Sequence, residues 1–268
     1  MKILLFIARL IKKTLNLFGL DLRKASENRT SLSGAFEQLR KTGFTPATVI
    51  DVGAAVGDFT VECYRFFPDS KYILIDPLEE NREKLNNVTK NIPGAKHIMA
   101  IADSSTVERV LNVHTDLVGS SLYLEQEADL DGVPRKVPAV TLNNLCKENG
   151  LTGPYLIKID VQGAELDVLA GADDILNEAE YVILEVSFFQ FVKDGPQFYD
   201  IVSFMKSKGF VAYDMFSAHY KLIDGALAQN DIAFVKEYGR FRNDHIYSTP
   251  QQREKLTKAM LSYRQRGF

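Results

Sequence analysis

Three acidic residues stand where they could share work as proton carriers: Asp160, Glu165 and Glu185. Asp160 closes the apolar run Leu156-Ile157-Lys158-Ile159. Glu165 follows in the first turn of a helical stretch, and Glu185 lies within the next apolar run, Ile183-Leu184-Glu185-Val186. Carboxylates that converge on one end of a sheet shift each other's pKa, and one of them can then act as a general base. The period of two puts Lys158 and Asp160 on the same side of a strand. An ammonium in an otherwise buried strand is costly alone, so Lys158 needs a partner. The blander alternatives are that Asp160 and Glu165 merely cap the helix that follows them. A second constellation is Asp51-Val52-Gly53-Ala54-Ala55-Val56-Gly57-Asp58, where a strand passes into a helix. A glycine-rich turn there lets a ligand approach the backbone at the carboxyl end of the sheet.

The dinucleotide fingerprint G-x-G-x-x-G does not fit this turn. Counted from Gly53, Ala55 and Asp58 occupy the later glycine positions. Asp58 also brings negative charge to the helix N-terminus, where a pyrophosphate would have to sit. D-x-G-x-x-x-G opening a helix is instead the pattern of S-adenosylmethionine (SAM) methyltransferases. SAM carries a sulfonium cation and no phosphate, so nearby carboxylates help. Asp76 ends the next apolar run, where a carboxylate can accept from both ribose hydroxyls, although NAD carries the same group. Asp103 closes Ala100-Ile101-Ala102, near where an adenine would lie; before Ser104-Ser105 it is equally a good turn former.

To position these residues the chain alternates strands and helices. Strands are expected at 47–52, 71–76, 96–102, 155–160, 181–186, 210–215 and 231–235. Helices are expected at 58–67, 79–90, 142–148, 163–170 and 197–208. Shorter β-like pieces fall at 109–114 and 135–140. Strands separated by helices imply a parallel sheet covered on both faces, and two final strands with no helix between them imply an antiparallel pair. The expected fold is a doubly wound α/β protein: a mostly parallel seven-stranded sheet with a C-terminal antiparallel hairpin. Residues 1–43 read as a helical extension, 44–240 as the catalytic domain and 241–268 as a basic C-terminal helix.

Asp51-Val52-Gly53-Ala54-Ala55-Val56-Gly57, Gly119-Ser120-Ser121-Leu122 and Lys158-Ile159-Asp160-Val161-Gln162-Gly163-Ala164-Glu165 together resemble the FkbM-type SAM-dependent methyltransferases over roughly residues 45–240. The resemblance implies a class I methyltransferase-like Rossmann fold, SAM as cofactor, and a pocket lined by Asp51, Gly53, Gly57, Asp76 and Asp103, with Asp160 near the methionine end. It implies O-methylation of a hydroxyl on a sugar, glycolipid or other small-molecule acceptor. Gln162 departs from the family, which commonly has Glu there. Catalysis by Asp160, with Glu185 and Glu165 in reserve, would rest on a positioned base. Two other readings stay open: a scaffold that binds SAM or a nucleotide without turnover, and an NAD-dependent oxidoreductase.

A composition of 46% hydrophobic and 25% charged residues in 268 is that of a globular chain and excludes disordered and collagenous classes. The net charge of −3 gives no general reason to bind nucleic acid, and none is expected as a partner. The distribution is uneven: residues 1–30 and 239–268 each carry seven Lys/Arg against two acids, leaving an acidic body with basic ends. Cys63 and Cys146 are too few for a disulfide framework and read as buried thiols. The four histidines have no ligand spacing, so no metal is expected. Phe188, Phe189 and Phe191 follow the fifth strand, where core or acceptor pocket are both open, and His219 falls in the loop between the last two strands.

Residues 2–20 form an amphipathic pattern: Lys2, Arg9, Lys12 and Lys13 on one face, Leu4, Ile7, Ile11, Leu15 and Phe18 on the other. Its apolar run Ile3–Ala8, cut by Arg9, Lys12 and Lys13, is too short for a signal peptide or a membrane span, so a cytoplasmic protein is expected. Its first helix either touches the inner face of a membrane peripherally or packs on the domain or on a second copy in a homo-oligomer.

Overall fold

The computed structural model describes residues 2–20, 28–127 and 130–265. Its strands are β1 (Thr48–Val52), β2 (Lys71–Ile75), β3 (Lys96–Ile98), β4 (Ile101–Ala102), β5 (Arg109–Val113), β6 (Val133–Val137), β7 (Ala139–Val140), β8 (Tyr155–Ile159), β9 (Ala179–Ser187), β10 (Phe210–Tyr220) and β11 (Leu227–Lys236). Its α-helices are α1 (Lys2–Leu17), α2 (Leu32–Lys41), α3 (Asp58–Tyr64), α4 (Arg82–Asn91), α5 (Leu142–Glu148), α6 (Glu165–Ala170), α7 (Asp173–Glu178), α8 (Phe198–Ser207) and α9 (Pro250–Gln265).

Seven strands form one sheet in the order β10-β11-β9-β8-β1-β2-β3. β3, β2, β1, β8 and β9 pair in parallel, and β11 runs antiparallel between β9 and β10. The expected mixed α/β sheet with a closing hairpin is therefore the observed one. β1 and β8 are buried along their whole length, as parallel strands covered on both faces must be. Alternate residues serve the two faces. Val49, Leu156 and Ile183 pack with Phe36, Phe59, Cys63 and Leu85 from α2, α3 and α4. Ile50, Ile157 and Val182 pack with Leu142, Val168, Ile175 and Met205 from α5, α6, α7 and α8.

α2 belongs to that first layer. Ser31 accepts from the Gly34 N–H at its start, Ala35, Phe36 and Leu39 are buried, and Arg29 just upstream pairs with Asp214 of β10. The core therefore begins upstream of residue 44.

The expected strand 96–102 is broken in two. The Ala100 N–H turns back to the Ile98 carbonyl (3.0 Å), and the chain leaves the main sheet. β4 then pairs with β7 in a small parallel sheet, while β5 and β6, the short pieces expected near 109 and 135, pair antiparallel in another. The final hairpin is longer than expected because register shifts near Ala212 and Phe216 interrupt the alternation that a sequence pattern relies on. The six-residue α7 was not expected. Cys63 and Cys146 are both buried and unbonded to each other. Among the described residues no helix is long and apolar enough to cross a membrane.

Candidate active site

A cavity of about 230 Å³ opens at the carboxyl ends of β1, β2 and β8. Gly53 and Ala55 form one wall, Asp76 and Asn81 the next, and Asp160 and Gln162 the third, with Ser120 and Leu122 across from them. Gly53 has φ +73°, and a Cβ there would collide with the Asp160 backbone carbonyl. The two sequence motifs are thus in backbone contact, and the Asp160 N–H donates to the Val52 carbonyl (3.1 Å). Asp76 fastens the turn. Its Oδ2 accepts from the Ala55 N–H (2.9 Å), and its Oδ1 from the Leu78 N–H (3.0 Å) and Asn81 Nδ2 (3.2 Å). Burial pushes its pKa up, and these three donors oppose the shift.

Behind this wall lies a charge cluster centred on Lys158, whose Nζ is 3.0 Å from Asp160 Oδ2 and 3.9 Å from Asp51 Oδ1. The partner that a buried-strand lysine requires is present twice. Burial disfavours its charge, but the two carboxylates outweigh that and raise its pKa. Burial would raise Asp160 too, yet Lys158 holds it below the usual carboxylate range. Gln162 Nε2 donates to Asp160 Oδ1 (3.0 Å) and to Glu185 Oε2 (2.7 Å), and Gln229 Nε2 reaches the same Glu185 oxygen (2.9 Å). Burial, reinforced by the charge on Asp160, pushes Glu185 up to about 9. The two carboxyls are thus pushed in opposite directions, Asp160 toward its ionised form and Glu185 toward its protonated form.

The sequence matches the methyltransferase FkbM domain over residues 51–212, more than half of the chain. The chain belongs to the FkbM methyltransferase family. Among solved structures it is similar to an FkbM methyltransferase from Methylobacillus flagellatus KT, at 16% identity and TM-score 0.45, covering 69% of this chain and 43% of that one. The present chain thus spans less than half the length of that relative. It is also similar to the N-methyltransferase NodS from Bradyrhizobium japonicum WM9 (8% identity, TM-score 0.44, 79% and 99% covered). A third is 1,6-didemethyltoxoflavin-N1-methyltransferase from Burkholderia thailandensis, solved with S-adenosylhomocysteine (10% identity, TM-score 0.41, 78% and 79% covered). No curated protein matches the sequence.

In this family member not every expected pocket residue reaches the cavity. Gly53, Asp76 and Asp160 line it. Asp51 does not: it is fully buried, with Oδ2 accepting from Thr60 Oγ1 (2.7 Å) and Oδ1 lacking any hydrogen bond. Gly57 does not either; with φ +88° it starts α3 against Val88 and serves packing. Asp103 also departs from expectation. Because the chain leaves the main sheet after β3, its carboxylate turns to Arg109 Nη1 (2.6 Å) and the Ser104 N–H (2.7 Å), away from the cavity. Glu165 is buried and accepts from the Gly163 N–H (3.0 Å); burial raises it to about 7, but it does not line this cavity, and its carboxylate closes a turn.

Three residues of the cluster escaped sequence reasoning. Gln162 was noted only as a departure, yet it stands in the left-handed region (φ 53°) and joins two acids, which an ionised Glu could not do by donation. Gln229 and Asp231 come from β11. Asp231 pairs with Glu185 across the strands, and burial raises it to about 6; an acid beside Ile232-Ala233-Phe234 was the available signal. The Gly119-Ser120-Ser121 motif gains a mechanical role, since Ser121 Oγ donates to the Gln162 carbonyl (2.6 Å). Phe189 and Phe191 line a second cavity beyond Gln162, whereas Phe188 stacks on Phe198 and His219 lines neither.

Proposed function

We propose that this protein transfers a methyl group from SAM to a hydroxyl oxygen of a small-molecule acceptor. The observation that carries the reading is the convergence of Gly53, Asp76 and Asp160 on one cavity. The donor set suits SAM: a backbone wall with no side chain at Gly53, a buried carboxylate with one lone pair left on Asp76 Oδ2, and three acids (Asp76, Asp116, Asp160) against one lysine, Lys84. Such a lining favours a cation over a pyrophosphate. Asp76 would accept from a ribose hydroxyl at Oδ2 and Asp160 would face the methionine end. When bound, SAM supplies an electrophilic methyl group. The chain's own task is then to orient the acceptor and take up its hydroxyl proton, for which the Asp160–Gln162–Glu185 cluster offers an ionised carboxylate at the cavity wall.

Asp76→Ala tests the cofactor assignment. It should weaken SAM and S-adenosylhomocysteine binding by ~1.5–3 kcal/mol, the range for hydrogen bonds to a charged group. Calorimetry on the purified variant reads this directly, and an unchanged affinity would remove Asp76 from the site.

We also propose that α1 lies in a membrane interface near a lipid-linked acceptor. Ile7, Leu10, Ile11, Leu17 and Phe18 are exposed, and the sequence between them supplies Arg9, Lys12 and Lys13. Co-sedimentation with anionic vesicles should be strong for the full chain and at least ~10-fold weaker after removal of 22 residues. Equal binding by the two would reject α1 as the anchor, and a loss of dimer on truncation would assign the helix to self-association.

A further inference from the structure

Beyond Gln162 lies a second cavity of about 470 Å³, formed after β9 and under the tip of the β10–β11 hairpin. We infer that it binds the methyl acceptor as an amphiphilic alcohol, hydroxyl toward Gln162 and apolar body between Phe189, Phe191 and the hairpin tip. The inference rests on the methyltransferase reading above. Gln162 lines both cavities, so a group held at its amide is at the boundary with the cofactor side. The partition is otherwise thin: Ser120 faces one cavity and Gly119 the other. A Cβ on Gly119 would stand only 2.9 Å from His114 Nδ1, so there is no room for a bulkier divider.

The second cavity has two chemically distinct ends. Gln162 and Gln229 supply amides at the strand ends, both already bonded to Glu185, and Glu125 adds a carboxylate. The opposite side is apolar. The rings of Phe189 and Phe191 lie 6.0 Å apart, and Leu222 and Ile223 project from the hairpin tip at 105% and 85% exposure. Two adjacent branched aliphatics held in water at a cavity mouth mark a contact surface for something apolar. Lys221, the one cation among the described residues that line it, is already used: its Nζ sits 4.4 Å over the Phe189 ring and 2.9 Å from Asp224. A phosphorylated or otherwise strongly anionic acceptor therefore finds no free counter-charge among the described residues of this wall, and a wholly hydrophilic sugar leaves the apolar side unmatched.

The probe is a series of straight-chain 1-alkanols from butanol to octanol, titrated calorimetrically into the full chain with and without S-adenosylhomocysteine. Affinity should rise about fourfold per added carbon, the equivalent of ~0.8 kcal/mol for a buried methylene. Two variants, Phe191→Ala and the double change Leu222→Ser with Ile223→Ser, should each weaken octanol by ~10-fold and leave S-adenosylhomocysteine affinity unchanged. An affinity independent of chain length, no alkanol binding, or octanol binding unchanged in both variants would overturn the inference. Failure of S-adenosylhomocysteine alone to bind would instead strike the cofactor reading, because the alkanol series is read without it as well.

Discussion

Asp160→Asn should lower turnover by ~10²–10⁴-fold with SAM affinity nearly unchanged, the loss typical of a positioned base. The substitution keeps size and removes charge. Asp160 is ionised through Lys158 at 3.0 Å, lines the cofactor cavity, and is one amide away from the second cavity through Gln162. On the proposed reading it thus lies beside the junction where an acceptor hydroxyl would give up its proton. Its lowered pKa limits its strength as a base, and the upward-shifted Glu185 beside it is the reason for expecting a shared rather than a solitary role. Turnover and cofactor affinity measured on one preparation separate the two possible jobs. If SAM binding falls and the rate at saturating SAM does not, Asp160 is a cofactor contact. Near-normal values of both would show that it does neither.

How much of this was legible in the sequence follows from the range of the interactions. β1, β2 and β8 were readable because their burial on both faces leaves largely apolar runs, and Gly53 because a turn with φ +73° favours glycine. Lys158 was readable as a residue in need of a partner, and it has two. Asp103 could be read two ways, as pocket residue or as turn former, because its position depends on where the chain leaves the sheet, and a single backbone turn at Ala100 decides that. Gln229 and Asp231 reach the site only through the antiparallel β9–β11 register, a long-range pairing that the local pattern of β11 does not specify. Glu165 shows the converse. Its residue type and place in the helix fitted a base, but burial gave it a turn to close.

Gly53→Ala should cost ~2 kcal/mol or more of stability, lowering Tm by roughly 5 °C or more, and abolish measurable SAM binding. Two effects add. An alanine at φ +73° leaves the comfortable regions of backbone space, and its methyl would collide with the Asp160 carbonyl, a backbone atom that cannot swing aside. Relief requires β1 and β8 to part at their carboxyl ends, and those ends carry Asp160 and the Ala55 N–H that Asp76 holds. Damage to the fold and to the cavity is therefore one event. Gly57→Ala supplies the contrast. Its φ is +88°, but its added methyl meets side chains rather than backbone, with Val88 Cγ2 at 2.9 Å and Leu85 Cδ2 at 3.4 Å on α4, and Gly57 does not line the cavity. Gly57→Ala should lose comparable stability from strain and keep most of its affinity for S-adenosylhomocysteine. Thermal melts and calorimetry on both variants test this. Wild-type binding by a folded Gly53→Ala would mean that the contact between the two motifs does not shape the cofactor cavity, whereas loss of binding in both would place the whole α3 entry turn, not Gly53 alone, in control of it.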